Sequence, residues 1–170
     1  MKEMMKPYLD KKPGGIFFIP LFLPAGIKDN LKSYYRYKFQ ADEQYAFGRL
    51  IDSTQSSGDL VEIFNYVGSV PQTSDEILAS NLMFDPLHVS MGFVKKRWRF
   101  IFENHDYDRV RDSNYANISF LLGDHENPIL WTGGKEIGKI SPSKSKAYNH
   151  WRIYPPTQLE TKIRDHLADV

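Results

Sequence analysis

The sequence contains no cysteine, which excludes disulfide bonds and thiolate chemistry over its 170 residues. It also has no apolar run near the roughly 20 residues that a membrane-spanning helix needs. Residues 1–7 are too polar to form the apolar core of a signal peptide. From these absences we expect a cytoplasmic protein with no membrane partner. Hydrophobic residues make up 41% of the chain and aromatic residues 14%, which is enough for a packed core.

Motifs for catalysis and cofactor binding are also lacking. The spacing from Gly133 to Lys139 imitates a phosphate-binding loop, but Ile140 replaces the magnesium-binding Ser or Thr. Pro142 interrupts the helix that should follow such a loop. Residues 104–108 hold one histidine and two carboxylates, with no further histidines at metal-binding spacing. We therefore predict no enzyme activity, no metal and no cofactor, and interpret 133–147 as a basic loop.

Apolar periodicity predicts an α+β fold that is mostly β. The strand candidates are rich in β-branched and aromatic residues and are separated by turn-forming residues. They span residues 16–22, 44–51 and 60–68, a hairpin at 87–102, and two weaker strands at 118–122 and 129–131. Ser53–Asp59 is predicted to be a hairpin loop, and alternation between Val61 and Val67 predicts one solvated face. The basic turn Lys95–Arg97 is expected to be solvated as well.

Two helices complete the predicted fold. Thr73–Glu76 has the spacing of a capping box and precedes a short apolar stripe, Ile77, Leu78 and Leu82. Thr157 and Glu160 have the same spacing at the start of a C-terminal helix. The apolar face of that helix would comprise Leu159, Ile163, Leu167 and Val170. We expect a curved antiparallel sheet or a small, partly open barrel in a single domain, 1–170, with a loose leader at 1–13 and a core from about residue 14.

Charge is distributed unevenly along the chain. The net charge is +1, yet residues 41–94 carry one basic residue, Arg49, against eight acids. These acids are the candidate partner-binding residues: Asp42, Glu43, Asp52, Asp59, Glu62, Asp75, Glu76 and Asp85. An electronegative face would attract a basic partner, whereas a solvated acidic rim without a partner is the alternative.

Aromatic and basic residues interleave in two segments, Tyr34–Phe39 and Lys95–Arg99. Such segments are typical of surfaces that stack single-stranded nucleic acid. Aromatic residues and arginine are equally favoured at protein interfaces. A nearly neutral chain with an acidic middle is a poor electrostatic match for a polyanion, so nucleic acid is not the expected partner.

Three motifs carry a family resemblance: Gly14–Leu21 (GGIFFIPL), Tyr45–Leu50 (YAFGRL), and a basic turn before a Trp-centred strand at Lys96–Ile101 (KRWRFI). Across roughly residues 13–105, the chain resembles the immunity protein 26 family of bacterial polymorphic toxin systems. The resemblance implies a cytoplasmic antidote that blocks a cognate toxin, commonly encoded beside it, by stoichiometric occlusion and without catalytic residues. The acidic residues of 41–94 would then be candidate contacts for a basic toxin. A small-barrel nucleic-acid-binding module is the alternative.

Overall fold

The computed structural model describes residues 8–23, 34–54 and 57–170. These residues group into two compact units, one within 1–106 together with 153–170, the other spanning 107–152. The predicted α+β, mostly β class is confirmed, because the described residues form nine strands and four α-helices. The expectation of one domain stays a prediction. Of the expected leader, residues 1–7 lie outside the described part, while the N–H of Leu9 donates to the carbonyl of Phe100 at 2.9 Å.

The first unit contains a six-stranded sheet that is not closed, with strand order β5-β1-β2-β3-β4-β9. Its strands are β1 Ile16–Pro20, β2 Tyr45–Thr54, β3 Gly58–Gly68, β4 Leu87–Val89, β5 Arg99–Phe102 and β9 Ile153–Tyr154. Neighbouring strands are antiparallel except β4 and β9, which run parallel. The long β2–β3 hairpin, paired from Tyr45 and Gly68 to Thr54 and Gly58, is the centre of the sheet.

Both faces of this sheet are covered by apolar side chains. One core includes Phe17, Ile63 and Leu159, and a second includes Phe18 and Ile77. The prediction that β3 has a solvated face is therefore wrong over its first half, where burial is continuous from Leu60 to Phe64. Apolar and polar side chains do alternate along β3, but the second apolar core packs on the face that carries the polar residues.

The predicted hairpin at 87–102 is also wrong. β4 pairs with β3 and β9, whereas β5 pairs with β1 on the other side of the sheet. The turn between the two segments is not fully solvated either, since Arg97 is only 2% exposed. Arg97 is buried because it forms an ion pair with Glu160, a buried residue of the C-terminal helix.

The two predicted helices exist, but neither has its predicted capping box. Helix α1 spans Asp75–Ala79 and α4 spans Pro156–Ala168, and neither N-cap side chain accepts a hydrogen bond. In α4, Leu159 and Ile163 are buried as expected, whereas Val170 is 94% exposed. Glu160 is fully buried instead of capping the first turn.

The second unit contains an antiparallel three-stranded sheet with order β6-β7-β8. Its strands are β6 Ser119–Leu122, β7 Ile129–Thr132 and β8 Lys135–Lys139, and its helices are α2 Arg109–Ser113 and α3 Pro142–Ser145. The loop predicted at 133–147 is therefore wrong where β8 forms. Gly133 and Gly134 have φ values of 60° and 91°, which suit a two-residue hairpin turn. The loop-like spacing that begins at Gly133 belongs to a hairpin.

Two further features concern the described residues alone. None of the helices formed by residues 8–23, 34–54 and 57–170 combines the length and hydropathy of a membrane span. Within the same ranges, no group of three or more His, Asp or Glu side chains is arranged to hold a metal ion.

His88 in β4 makes the stability of the fold sensitive to acid. Its side chain is 1% exposed, and burial lowers its pKa from 6.5 to about 4, although nearby Asp59 opposes the shift. The unfolded chain therefore binds more protons between these values, and stability is lost as the pH falls from about 6.5 to 4. We expect the free energy of unfolding to fall by up to about 3 kcal/mol over this window. Urea unfolding at pH 7.5 and 4.5 checks this, since His88→Gln should show a smaller drop; equal drops would contradict it.

Candidate functional site

A cavity of about 780 Å³ opens between residues 8–11, the segment 34–39 and the segment 93–100 of the first unit. We call it the aromatic–basic cavity. Buried aromatic rings at Phe93, Trp98 and Phe100 form its floor. Five cationic side chains also line it: Lys11, Arg36, Lys38, Lys96 and Arg99. The two segments in which aromatic and basic residues interleave, 34–39 and 95–99, thus face one another.

A buried ion pair holds one side of this cavity in place. Arg97 Nε donates to Glu160 Oε2 at 2.7 Å, and Arg97 Nη2 donates to the other carboxylate oxygen. Trp98 Nε1 donates to Glu160 Oε2 at 3.0 Å, and Arg97 Nη1 donates to the hydroxyl of Tyr34. Burial would lower the pKa of Arg97, but its bonds to Glu160 and Tyr34 raise it overall, so the guanidinium stays charged. Glu160 thereby links α4 to the cavity floor and to the segment 34–39.

Arg99 fixes the segment 34–39 from the other direction. Its Nη2 donates to the carbonyls of Tyr34 and Tyr37, and its Nε donates to the carbonyl of Lys96 at 2.8 Å. Its guanidinium lies 4.7 Å from the ring centroids of both Tyr8 and Phe39, which is cation–π distance. The backbone N–H of Tyr34 also donates to the Lys95 carbonyl at 2.6 Å. These bonds hold the segment 34–39, which forms one wall of the cavity, against the segment 95–99.

The eight acidic residues predicted from sequence differ in exposure. Asp42, Glu43, Asp75, Glu76 and Asp85 are exposed, whereas Asp52 is half-buried. The other two are buried in internal ion pairs. Asp59 accepts from Lys11 Nζ at 2.9 Å and from Ser53 Oγ at 2.7 Å. Glu62 accepts from Arg49 Nε, also at 2.9 Å.

Four of the exposed acids lie at one end of the β2–β3 hairpin, and we call them the acidic end: Asp42, Glu43, Asp75 and Glu76. Asp42 and Glu43 precede β2, and Val70, which follows β3, donates its N–H to the carbonyl of adjacent Ala41 at 2.8 Å. Burial and then the hydrogen-bonded Glu76 raise the pKa of Tyr66, near the same end of β3.

The remaining acids lie elsewhere. Asp52 and Asp59 flank the opposite end of the hairpin, where Thr54 pairs with Gly58. Asp85 precedes β4. Arg49, the one basic residue of 41–94, is 8% exposed and paired with Glu62, so it does not offset the charge of the acidic end.

Comparison with known families decides the assignment of this scaffold. The family model of immunity protein 26 matches residues 12–127, which is more than half of the chain. The chain belongs to the immunity protein 26 family. Membership indicates a toxin-neutralising role. We found no significant match to this immunity protein 26 member among curated proteins or among solved structures.

The motifs that carried the resemblance are structural in this immunity protein 26 member. Gly48 lies under the Phe17 ring, and a Cβ there would be 2.5 Å from Phe17 Cζ and 2.8 Å from the Glu62 carbonyl oxygen. Arg49 is bound to Glu62, and Trp98 is 1% exposed. These three motif residues therefore build the scaffold of the protein.

Sequence reasoning missed the connection between Glu160 and the aromatic–basic cavity. The capping-box spacing predicted that Glu160 would bond to the backbone at the start of its own helix. Its actual partners, Arg97 and Trp98, lie 63 and 62 positions away. One available signal was the position of Glu160 beside Leu159 on the apolar side of a helix. A charged residue at the edge of an apolar stripe often needs a buried partner.

Proposed function

We propose that this protein binds a cognate bacterial toxin and neutralises it by stoichiometric occlusion, with no catalytic step of its own. Family membership supports a toxin partner. The observation that supports the contact surface is the acidic end, where four exposed carboxylates lie at one end of the β2–β3 hairpin. Arg49, the one basic residue of 41–94, is buried and paired with Glu62. Such a surface attracts a basic partner.

An occluding interface has a typical size and charge arrangement. A stable complex of this kind buries about 1,600 Å² in total, so the acidic end would form only part of the contact. Exposed charges at the rim mainly increase the association rate and set its dependence on salt. Asp59 and Glu62 are left out of the proposed surface, because a contact through them would have to break internal ion pairs. Asp52 and Asp85 remain candidates at its margins.

Neutralisation is tested by co-expression. The toxin domain encoded by the adjacent open reading frame should arrest growth when expressed alone, and this chain should restore growth. The two purified proteins should then form a complex of fixed stoichiometry in size-exclusion chromatography. A toxin that still arrests growth in the presence of folded protein would contradict the proposal.

Charge reversal tests the acidic end. The variant Asp42→Lys/Glu43→Lys/Asp75→Lys/Glu76→Lys should slow association with the toxin by roughly tenfold or more at low salt, since steering charges act on the association rate. Its association rate should also depend less on salt, or in the opposite direction. The matched control is Glu126→Lys/Glu136→Lys/Asp165→Lys/Asp169→Lys, which changes the same charge at other exposed positions. Stopped-flow or surface plasmon resonance at several salt concentrations checks both; equal rates in the two variants would exclude the acidic end.

A further inference from the structure

We infer that the aromatic–basic cavity receives an acidic segment of the toxin, with an apolar side chain against the aromatic floor and carboxylates against the cationic rim. This inference rests on the proposed function and adds a second contact with the opposite charge preference. The cavity is distinct from the acidic end, because none of the four carboxylates lines it.

The size and floor of the cavity suit an inserted side chain. Its volume, about 780 Å³, falls in the range of ligand-binding pockets, which are mostly apolar with a few polar groups. Phe93, Trp98 and Phe100 pack on one another and on Phe17 at the floor. Aromatic pockets of this kind are where interface anchors bind most strongly.

The rim provides three exposed cations that have no ion-pair partner among the described residues. Lys11 is paired with Asp59, and Arg99 is held by carbonyl oxygens. By contrast, Arg36, Lys38 and Lys96 are exposed. Within the described ranges these three have no carboxylate partner, and the lining includes one carboxylate, that of Asp10. An occupant that carries carboxylates is the electrostatic complement of this rim.

The cavity is organised before anything binds. Tyr34 and Tyr37 are fixed through their carbonyls by Arg99. Arg97, which is paired with Glu160, donates to the hydroxyl of Tyr34. A wall tied to buried ion pairs loses little conformational freedom on binding, which favours affinity. Tyr35 also lines the cavity, and its side chain is 75% exposed.

Nucleic acid is a poorer match for this cavity. A polyanion binds best to a strongly basic surface, whereas the chain has a net charge of only +1 and Asp10 adds a carboxylate to the lining. Burial and then the nearby Glu43 raise the pKa of the Tyr37 phenol, so a further carboxylate lies close to the rim.

Charge reversal at the rim is the first test of this inference. Arg36→Glu/Lys38→Glu should weaken binding of the adjacent-gene toxin domain by roughly tenfold or more, about 1.4 kcal/mol. The control Lys144→Glu/Lys146→Glu makes the same charge change at exposed positions outside the lining and should leave affinity unchanged. Both variants alter exposed side chains, so circular dichroism and thermal melting should match those of the wild type.

Site-specific cross-linking identifies the occupant. A photoreactive p-benzoylphenylalanine in place of Tyr35 should cross-link to the toxin, and mass spectrometry should locate the cross-link in a segment with at least two acidic residues and a large apolar one. Wild-type binding together with unchanged affinity of Arg36→Glu/Lys38→Glu, or a cross-link to a basic segment, would overturn the inference and leave the proposed function standing. A wild-type protein that binds a single-stranded oligonucleotide, and loses that binding but not toxin binding in Arg36→Glu/Lys38→Glu, would also overturn it. A wild-type protein that binds no toxin would overturn the proposed function and this inference together.

Discussion

Glu160→Ala is expected to reduce the free energy of unfolding by about 3–5 kcal/mol, the loss typical of leaving one partner of a buried ion pair uncompensated. Glu160 is fully buried, and its carboxylate accepts hydrogen bonds from both Arg97 and Trp98. Removing it leaves a 2% exposed guanidinium without its counterion. Many small domains have little more total stability than this, so partial unfolding at 37 °C is the expected phenotype. Urea unfolding followed by circular dichroism measures the loss.

Three further variants distinguish the contribution of the ion pair to stability from that of side-chain packing. Glu160→Gln keeps the shape of the side chain and should lose less stability than Glu160→Ala. The double variant Arg97→Met/Glu160→Leu removes both charges and should recover much of the loss, because apolar replacements of buried ion pairs are often neutral or stabilising. Glu126→Ala, at an exposed position, should change stability by less than about 0.5 kcal/mol. A Glu160→Ala variant as stable as Glu126→Ala would disprove the role assigned to this pair.

The central strands could be predicted from sequence because their signals are local. β1 is a continuous apolar run and the β2–β3 hairpin has strand-forming residues on both sides of a Ser- and Gly-rich turn. The pairing of the segments at 87–102 could not be predicted this way. They alternate and are adjacent in sequence, which favours a hairpin, but β5 pairs with β1 instead. Stacking of Trp98 on Phe17, with ring centroids 5.9 Å apart, is a tertiary contact that supports this arrangement.

The candidate site was also predictable only in part, because local composition is visible in sequence and tertiary contacts are not. The aromatic and basic character of 34–39 and 95–99 is visible in sequence, but their contact depends on Arg97, which has lysines on its N-terminal side and reads as a solvated residue. Likewise, Asp59 and Asp75 are equivalent in sequence, and only the fold makes one a buried partner of Lys11 and leaves the other exposed. Charge composition predicts that a surface is acidic; burial decides which residues form it.

The second large effect is expected for Gly92→Ala, which should reduce the free energy of unfolding by about 3 kcal/mol, the upper end of the usual range for overpacking. A Cβ at Gly92 would lie 2.3 Å from Trp98 Cε3 and 2.4 Å from Trp98 Cδ2. Trp98 cannot retreat easily, because it stacks on Phe17 and donates to Glu160. The expected clash is thus with a rigid, anchored ring, and thermal or urea unfolding measures its effect.

A double-mutant cycle distinguishes this clash from a general intolerance of substitution at Gly92. Trp98→Phe replaces the indole with a smaller ring that has no hydrogen bond to Glu160 and can shift away from the new methyl group. Gly92→Ala should therefore destabilise the Trp98→Phe background by less than the wild type. The same cycle bears on the aromatic–basic cavity, since Trp98 forms its floor. If Gly92→Ala displaces the indole, toxin affinity should fall under conditions in which the variant remains folded, while the acidic end should retain its salt-dependent association. Additive losses of stability in the cycle would show that Trp98 is not the residue that excludes a side chain at position 92.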